Sequence, residues 1–144
     1  MTRYEHRQIG YVIIWSLLVG IILLAIGAIF GSSPNRETLL IVSIVLLITL
    51  ALFYKLTIRI DDERLCAFFG IGIIHKTAPM AEIAACEPIR IRWWYGWGIH
   101  LTPYGWLYNV SGLDAVAITL RNGRKFALGT DDPHGLVAAI RRST

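Results

Sequence analysis

Two long apolar runs near the start of the chain limit what it can fold into. Residues 9–30 and 38–54 contain no charged side chain. At a rise of ~1.5 Å per residue the first makes a helix of ~33 Å and the second one of ~25 Å. The hydrocarbon core of a bilayer is ~30 Å thick, so the first spans it, and the second does so with a turn borrowed from the polar bridge at 31–37. The expectation is a transmembrane hairpin, with helices at about 9–30 and 37–54, behind a short polar tail at 1–8. The first run exceeds the ~7–15 residues of a signal-peptide core, and Ala28-Ile29-Phe30-Gly31 makes a poor small-x-small cleavage site. It reads as a retained helix.

Charge around the runs sets their direction. Arg3 and Arg7 precede the first, Arg36 alone lies in the bridge, and Lys55, Arg59 and Arg64 follow the second. Lys and Arg gather on the cytoplasmic side of membrane helices, so both termini are expected there and the bridge outside. Phe53, Tyr54 and Lys55 read as aromatic and basic anchors at headgroup level. Ser16, Gly20, Gly27 and Gly31 fall roughly along one helix face. Small residues on one face admit another helix closely, either the second helix of the same hairpin or a second copy in a homo-oligomer.

Residues 55–144 remain as one small domain, near the lower end of the usual size range. It carries eleven Lys and Arg against eight Asp and Glu. That mild excess suits an anionic leaflet. It is too weak and too scattered for a nucleic-acid partner, which meets a clustered basic face. Cys66 and Cys86 form no C-x-x-C pair and, on a cytoplasmic face, stay free thiols.

Within the domain, Leu56, Ile58 and Ile60 alternate with Lys55, Thr57 and Arg59, which predicts a half-buried strand starting directly after the second helix. Asp61-Asp62-Glu63 turns into a second strand at 64–69, and Gly70-Ile71-Gly72 into a third at 73–77, interrupted at Pro79. Residues 80–86 read either as a helical turn or as an edge strand. Further strands are expected at 89–94, 98–101 and 106–110. Strands at 115–120 and 124–128 flank Asn122-Gly123. A two-residue loop there would put Phe126 and Leu128 opposite in facing to Val116, Ile118 and Leu120. A three-residue loop, Arg121-Asn122-Gly123, aligns all five and places Gly123 at the left-handed position, so that register is expected. Asp132-Pro133 then opens a helix, Asp as N-cap and Pro at the first helical position, with an apolar stripe of Leu136, Val137 and Ile140. Arg141 and Arg142 fall at its C-terminal end, where positive charge is favoured.

These strand pairs, the 116–128 hairpin and the Gly129-Thr130-Asp131-Asp132-Pro133 lead into a terminal helix resemble the bacterial membrane-anchored pleckstrin-homology-like domains. Trp94-Tyr95-Gly96-Trp97-Gly98, Gly105-Trp106 and Asn109-Val110-Ser111-Gly112 are similar to a pattern of that group. The resemblance covers roughly 55–142. It implies a mainly-β, bent barrel of two sheets capped by one C-terminal α-helix, a two-helix membrane hairpin in front, a place at the bacterial inner membrane, and a binding or scaffolding role. Phosphoinositide binding does not carry over, because the first strand turn is Asp61-Asp62-Glu63 rather than a Lys/Arg cluster.

Chemistry is sparse. His6, His75, His100 and His134 form no H-x-x-x-H and pair with no nearby cysteine, so the three or four converging ligands of a metal site are not foreseen. Ser111 stands outside any G-x-S-x-G, and Gly96-Trp97-Gly98 lacks the third glycine of a dinucleotide fingerprint. No enzyme and no cofactor is expected.

What stands out is aromatic: four of the five Trp lie at 93, 94, 97 and 106. Consecutive Trp93 and Trp94 on one strand cannot both point inward. Two readings stand: core packing with incidental exposure, or a contact surface of Arg90, Arg92, Trp93, Trp94, Trp97 and Trp106 toward membrane lipids or a protein partner. The functional expectation is a membrane-anchored, non-catalytic binding module; the alternative is an accessory subunit of a larger membrane complex, with the hairpin as the contact.

Overall fold

The computed structural model describes residues 3–31 and 35–143. Two long helices form: α1 over Tyr11–Phe30 and α2 over Arg36–Phe53. Both are long and apolar enough to cross a membrane. Of the expected turn between them, residues 32–34 lie outside the described residues, as do residues 1, 2 and 144. The helices pack on each other through small residues. A Cβ built on Gly20 would lie 3.7 Å from Leu46, and one on Gly27 3.8 Å from Leu39. Their other faces leave Ile22, Leu23, Ile29, Ile41, Ile44 and Ile48 exposed. A helix that is apolar all round needs an apolar surrounding.

The segment expected as a polar tail is a strand. β1, Tyr4–Ile9, pairs antiparallel with β2, Lys55–Ile60, from Tyr4 opposite Ile60 to Ile9 opposite Lys55. The first apolar run therefore begins as strand at Ile9 and becomes helical only after Gly10. Alternation is present in β1 but written in polar residues: Tyr4, His6 and Gln8 turn inward while Glu5, Arg7 and Ile9 stay out. A pattern search tuned to apolar alternation reads that as tail.

β3, Arg64–Phe69, and β4, His75–Pro79, complete a four-stranded antiparallel sheet in the order β1-β2-β3-β4. Pro79 does not interrupt β4 but ends it, on the outermost strand, where a missing N–H costs no ladder bond. The ambiguous stretch at 80–86 divides into a helical turn, Met80–Glu82, and the start of β5, Ile83–Arg90. β6 (Gly98–Thr102), β7 (Gly105–Asn109), β8 (Asp114–Leu120) and β9 (Lys125–Gly129) join β5 in a second sheet, ordered β5-β8-β9-β7-β6. β7 and β9 run parallel; the other neighbours are antiparallel.

The β8–β9 hairpin has the three-residue loop. Val116 faces Leu128 and Ile118 faces Phe126, and the Leu120 amide donates to the Arg124 carbonyl at 2.8 Å. Gly123 has φ +82. Val116, Ile118, Leu120, Phe126 and Leu128 consequently share one face and join Leu56, Ile58, Ile60, Leu65 and Phe69 of the other sheet in one core. α3, Pro133–Ser143, adds Leu136, Val137 and Ile140 to it. Asp132 caps α3, its Oδ1 accepting from the Gly135 amide at 3.0 Å. The architecture is thus two long apolar helices, then two sheets face to face and a C-terminal helix against their shared core.

Candidate functional site

The helical hairpin and the sheets meet at one place, and the contact is close. Phe53, expected as a headgroup anchor, turns into the protein. It packs against the core, with its ring edge-to-face on Phe69 at 5.3 Å between centroids. Its large apolar side chain finds a dry partner there, which outweighs an interfacial position. Tyr54 and Lys55 stay half-buried at the junction, the Lys55 ammonium 5.1 Å from the Tyr54 ring centre. The Gly10 amide donates to Tyr54 O at 2.9 Å and the Gly70 amide to Lys55 O at 2.8 Å. On the second sheet, Gln8 Nε2 donates to Ser111 O at 3.0 Å.

Register then sorts every strand end of the second sheet. The Ser111 end of β7 lies beside the hairpin. β9 is parallel to β7, and β5 is antiparallel to β8, so the C-terminal end of β5 and the N-terminal end of β6 fall on that same side. The connection from Arg90 to Gly98 therefore runs across the end of the sheet nearest the helices. The Ile91 amide donates to Leu113 O at 2.7 Å, which ties it there.

The expected strand at 89–94 stops at Arg90. Trp93–Tyr95 is a single helical turn, with Tyr95 N bonded to Arg92 O and Gly96 N to Trp93 O. Ile91 and Tyr95 cause the bend. They turn onto the outer face of the second sheet and close a small core with Leu107, Ala115 and Ala127. Gly96, at φ +67, lets the chain leave the turn. The strand argument about Trp93 and Trp94 thus loses its premise, yet both are exposed, 74% and 55%. They pack edge-to-face at 5.9 Å, and the Arg92 guanidinium sits 4.8 Å from the Trp94 ring centre. Arg90 is exposed on the same connection.

Trp97 reaches the helices. With Ile99 and His100 it faces Ile13, Leu17 and Phe53 across an apolar cleft of about 340 Å³. Ser16 and Thr49 also line this cleft, and both spend their hydroxyls on helix carbonyls, Val12 O and Val45 O. Gly31 ends α1, and Ser16 faces the cleft, so within the small-residue stripe Gly20 and Gly27 make the helix contact. Trp106 separates from the group. It pairs across strands with Leu101, three residues up β7 from Asn109, at the far end of the sheet.

Two residues join the surface that sequence reasoning missed. The β3–β4 turn rests on the end of α2, and it exposes Ile71 and Ile73, 62% and 68%. The signal was present in Gly70-Ile71-Gly72-Ile73-Ile74: turns are ordinarily polar, and this one is apolar throughout. Among the described residues no group of three His, Cys, Asp or Glu is placed to hold a metal ion. Cys66 and Cys86 are unbridged, and burial beneath α3 pushes the Cys86 thiol up.

Compared with models of known protein families, the chain matches none. Compared with curated proteins, it has no significant match.

Proposed function

We propose that the chain is a membrane-anchored, non-catalytic binding module of pleckstrin-homology-like type, held at the cytoplasmic face of a bacterial inner membrane by α1 and α2. Arg90, Arg92, Trp93, Trp94 and Trp97 meet the lipid headgroups in this reading, with Ile71 and Ile73 beside them. One observation carries it: the exposed Trp and Arg side chains lie at the end of the second sheet beside the base of two helices whose outer faces are apolar. Trp favours the zone where hydrocarbon meets headgroup, and Arg beside it adds attraction for anionic lipid. Lys and Arg flanking the hairpin ends support the cytoplasmic side.

The test uses the full chain in vesicles containing brominated lipid, which quenches Trp at the interface. The fluorescence lost on combining Trp93→Phe, Trp94→Phe and Trp97→Phe should be the quenchable share, together with that of Trp15 on α1. If those three contribute a component that water-soluble quenchers reach and brominated lipid does not, the membrane contact is wrong.

A further inference from the structure

A groove opens between the edges of the two sheets, its floor at the end of the second sheet away from the helices. β4 ends one sheet and β6 ends the other. Lys76 of β4, Leu101 of β6, Trp106 of β7, and Arg124, Lys125 and Phe126 of the β8–β9 hairpin line one opening of about 500 Å³. Its floor is apolar. Leu101 and Trp106 form a cross-strand pair that remains 68% and 52% exposed. Two large apolar side chains side by side in water mark a surface that gains from being covered.

Its charge has one sign. The Lys76 ammonium lies 5.3 Å from the Phe126 ring centre, held over an aromatic face. Arg124 and Lys125 are exposed at the rim. Among the described residues no Asp or Glu lines the groove. Among the described residues the ion pairs join Arg3, His6, Arg7 and Arg59 to carboxylates, and none involves Lys76, Arg124 or Lys125. Three cations around an apolar floor repel one another until an anionic, partly apolar group enters.

The sheet edge favours protein over lipid as the source of that group. Trp106 precedes Asn109, the last residue of β7, by three residues, a separation of ~10 Å along the sheet from the end that meets the helices. Lys76 comes just after the β3–β4 turn and Leu101 is next to His100 of the helix cleft, so vesicle competition is part of the test. Among the described residues β6 has no strand beside its outer edge, and such an edge accepts an extended chain.

We infer that this groove binds an acidic, apolar, extended segment of a partner protein, laid from the β6 edge across the groove, with its large side chains on Leu101 and Trp106 and its carboxylates at Lys76, Arg124 and Lys125. The inference rests on the binding-module reading and names the chemistry of the partner.

The full chain in nanodiscs of zwitterionic lipid is used to select from a displayed library of random peptides. Recovered sequences should alternate Asp or Glu with large apolar residues. Their affinity should fall about tenfold or more when Arg124→Glu and Lys125→Glu are combined, the scale of losing one charged contact. Leu101→Asp, at an exposed position, should weaken them similarly. Peptides with Lys in place of Asp and Glu should prefer the charge-reversed chain. The combined Trp93→Phe, Trp94→Phe and Trp97→Phe chain should capture the same peptides as the wild type, so failure of the membrane contact and failure of the groove read differently. Recovery of no peptide, recovery without acidic enrichment, or equal binding to the charge-reversed chain overturns the groove. So does binding that anionic vesicles compete away in proportion to their charge, which would make it a lipid surface.

Discussion

Gly70 and Ala51 approach so closely that no side chain fits between them. A Cβ built on Gly70 would stand 2.2 Å from the Ala51 carbonyl oxygen and 2.4 Å from that of Leu52. The β3–β4 turn is pressed onto the last turn of α2. The sheet is therefore seated on the helix end rather than hung from it by a linker.

Substitution at this contact should be costly. Gly70 also has φ +48, a conformation that disfavours any Cβ by about 1–2 kcal/mol. Gly70→Ala adds a backbone clash, so the total should reach about 3 kcal/mol or more. Gly72, two residues on, has φ +92 but nothing within 4 Å of a built Cβ. Gly72→Ala should cost only the conformational part, about 1 kcal/mol. Thermal unfolding of the two chains in the same detergent measures the difference; equal losses would show that the seat on α2 contributes nothing.

The β8–β9 loop offers a cleaner measurement. Gly123 has φ +82 and open space around its Cα. Gly123→Ala should destabilise by about 1 kcal/mol through backbone conformation alone, whereas Gly123→Asn should recover part of that loss, since Asn tolerates the left-handed region. Both are read from unfolding midpoints, and a neutral Gly123→Ala would count against the three-residue loop.

The β1–β2 pair should carry an acid-dependent component of stability. Glu5 bridges two cations: Arg59 donates to its Oε2 at 2.8 Å and Arg7 to its Oε1 at 2.6 Å. Hydrogen bonds from Arg59 and then Arg7 hold the Glu5 carboxyl below the usual glutamate range. A carboxyl depressed in the folded state contributes stability that is present above its unfolded value and lost as pH falls through the folded one. Unfolding followed from neutral to acid pH should show that loss in the wild type and a shallower one in Glu5→Gln. Identical pH profiles would remove Glu5 from the account.

Topology of insertion is testable in the same framework. Tyr4 pairs with Ile60 and Ile9 with Lys55 across the whole helical hairpin, so both ends of the hairpin must emerge on one face of any membrane it crosses. A reporter active only in the periplasm, fused after either terminus, should be silent in both positions. Activity at one terminus alone would break the β1–β2 pairing as well as the orientation.

The parts of this protein written in local pattern were legible in its residues. Two uncharged runs define α1 and α2, the alternation of Leu56, Ile58 and Ile60 defines β2, and Asp132-Pro133 defines the start of α3, because each depends on neighbours within a turn or a strand. The register of β8–β9 was legible too, since Gly123 admits only one loop that keeps five apolar residues on one face. Tertiary structure decided the rest. β1 is a strand because β2 lies beside it, fifty residues on, and its inward residues are polar. Residues 91–95 bend because Ile91 and Tyr95 find a second small core on the outer face of the sheet, which overrides their strand-like sequence. Trp106 parts from Trp93, Trp94 and Trp97 because strand direction carries it to the opposite end of the sheet. Lys76, Leu101 and Lys125 share a groove because two sheet edges face each other, and no spacing along the chain encodes that meeting.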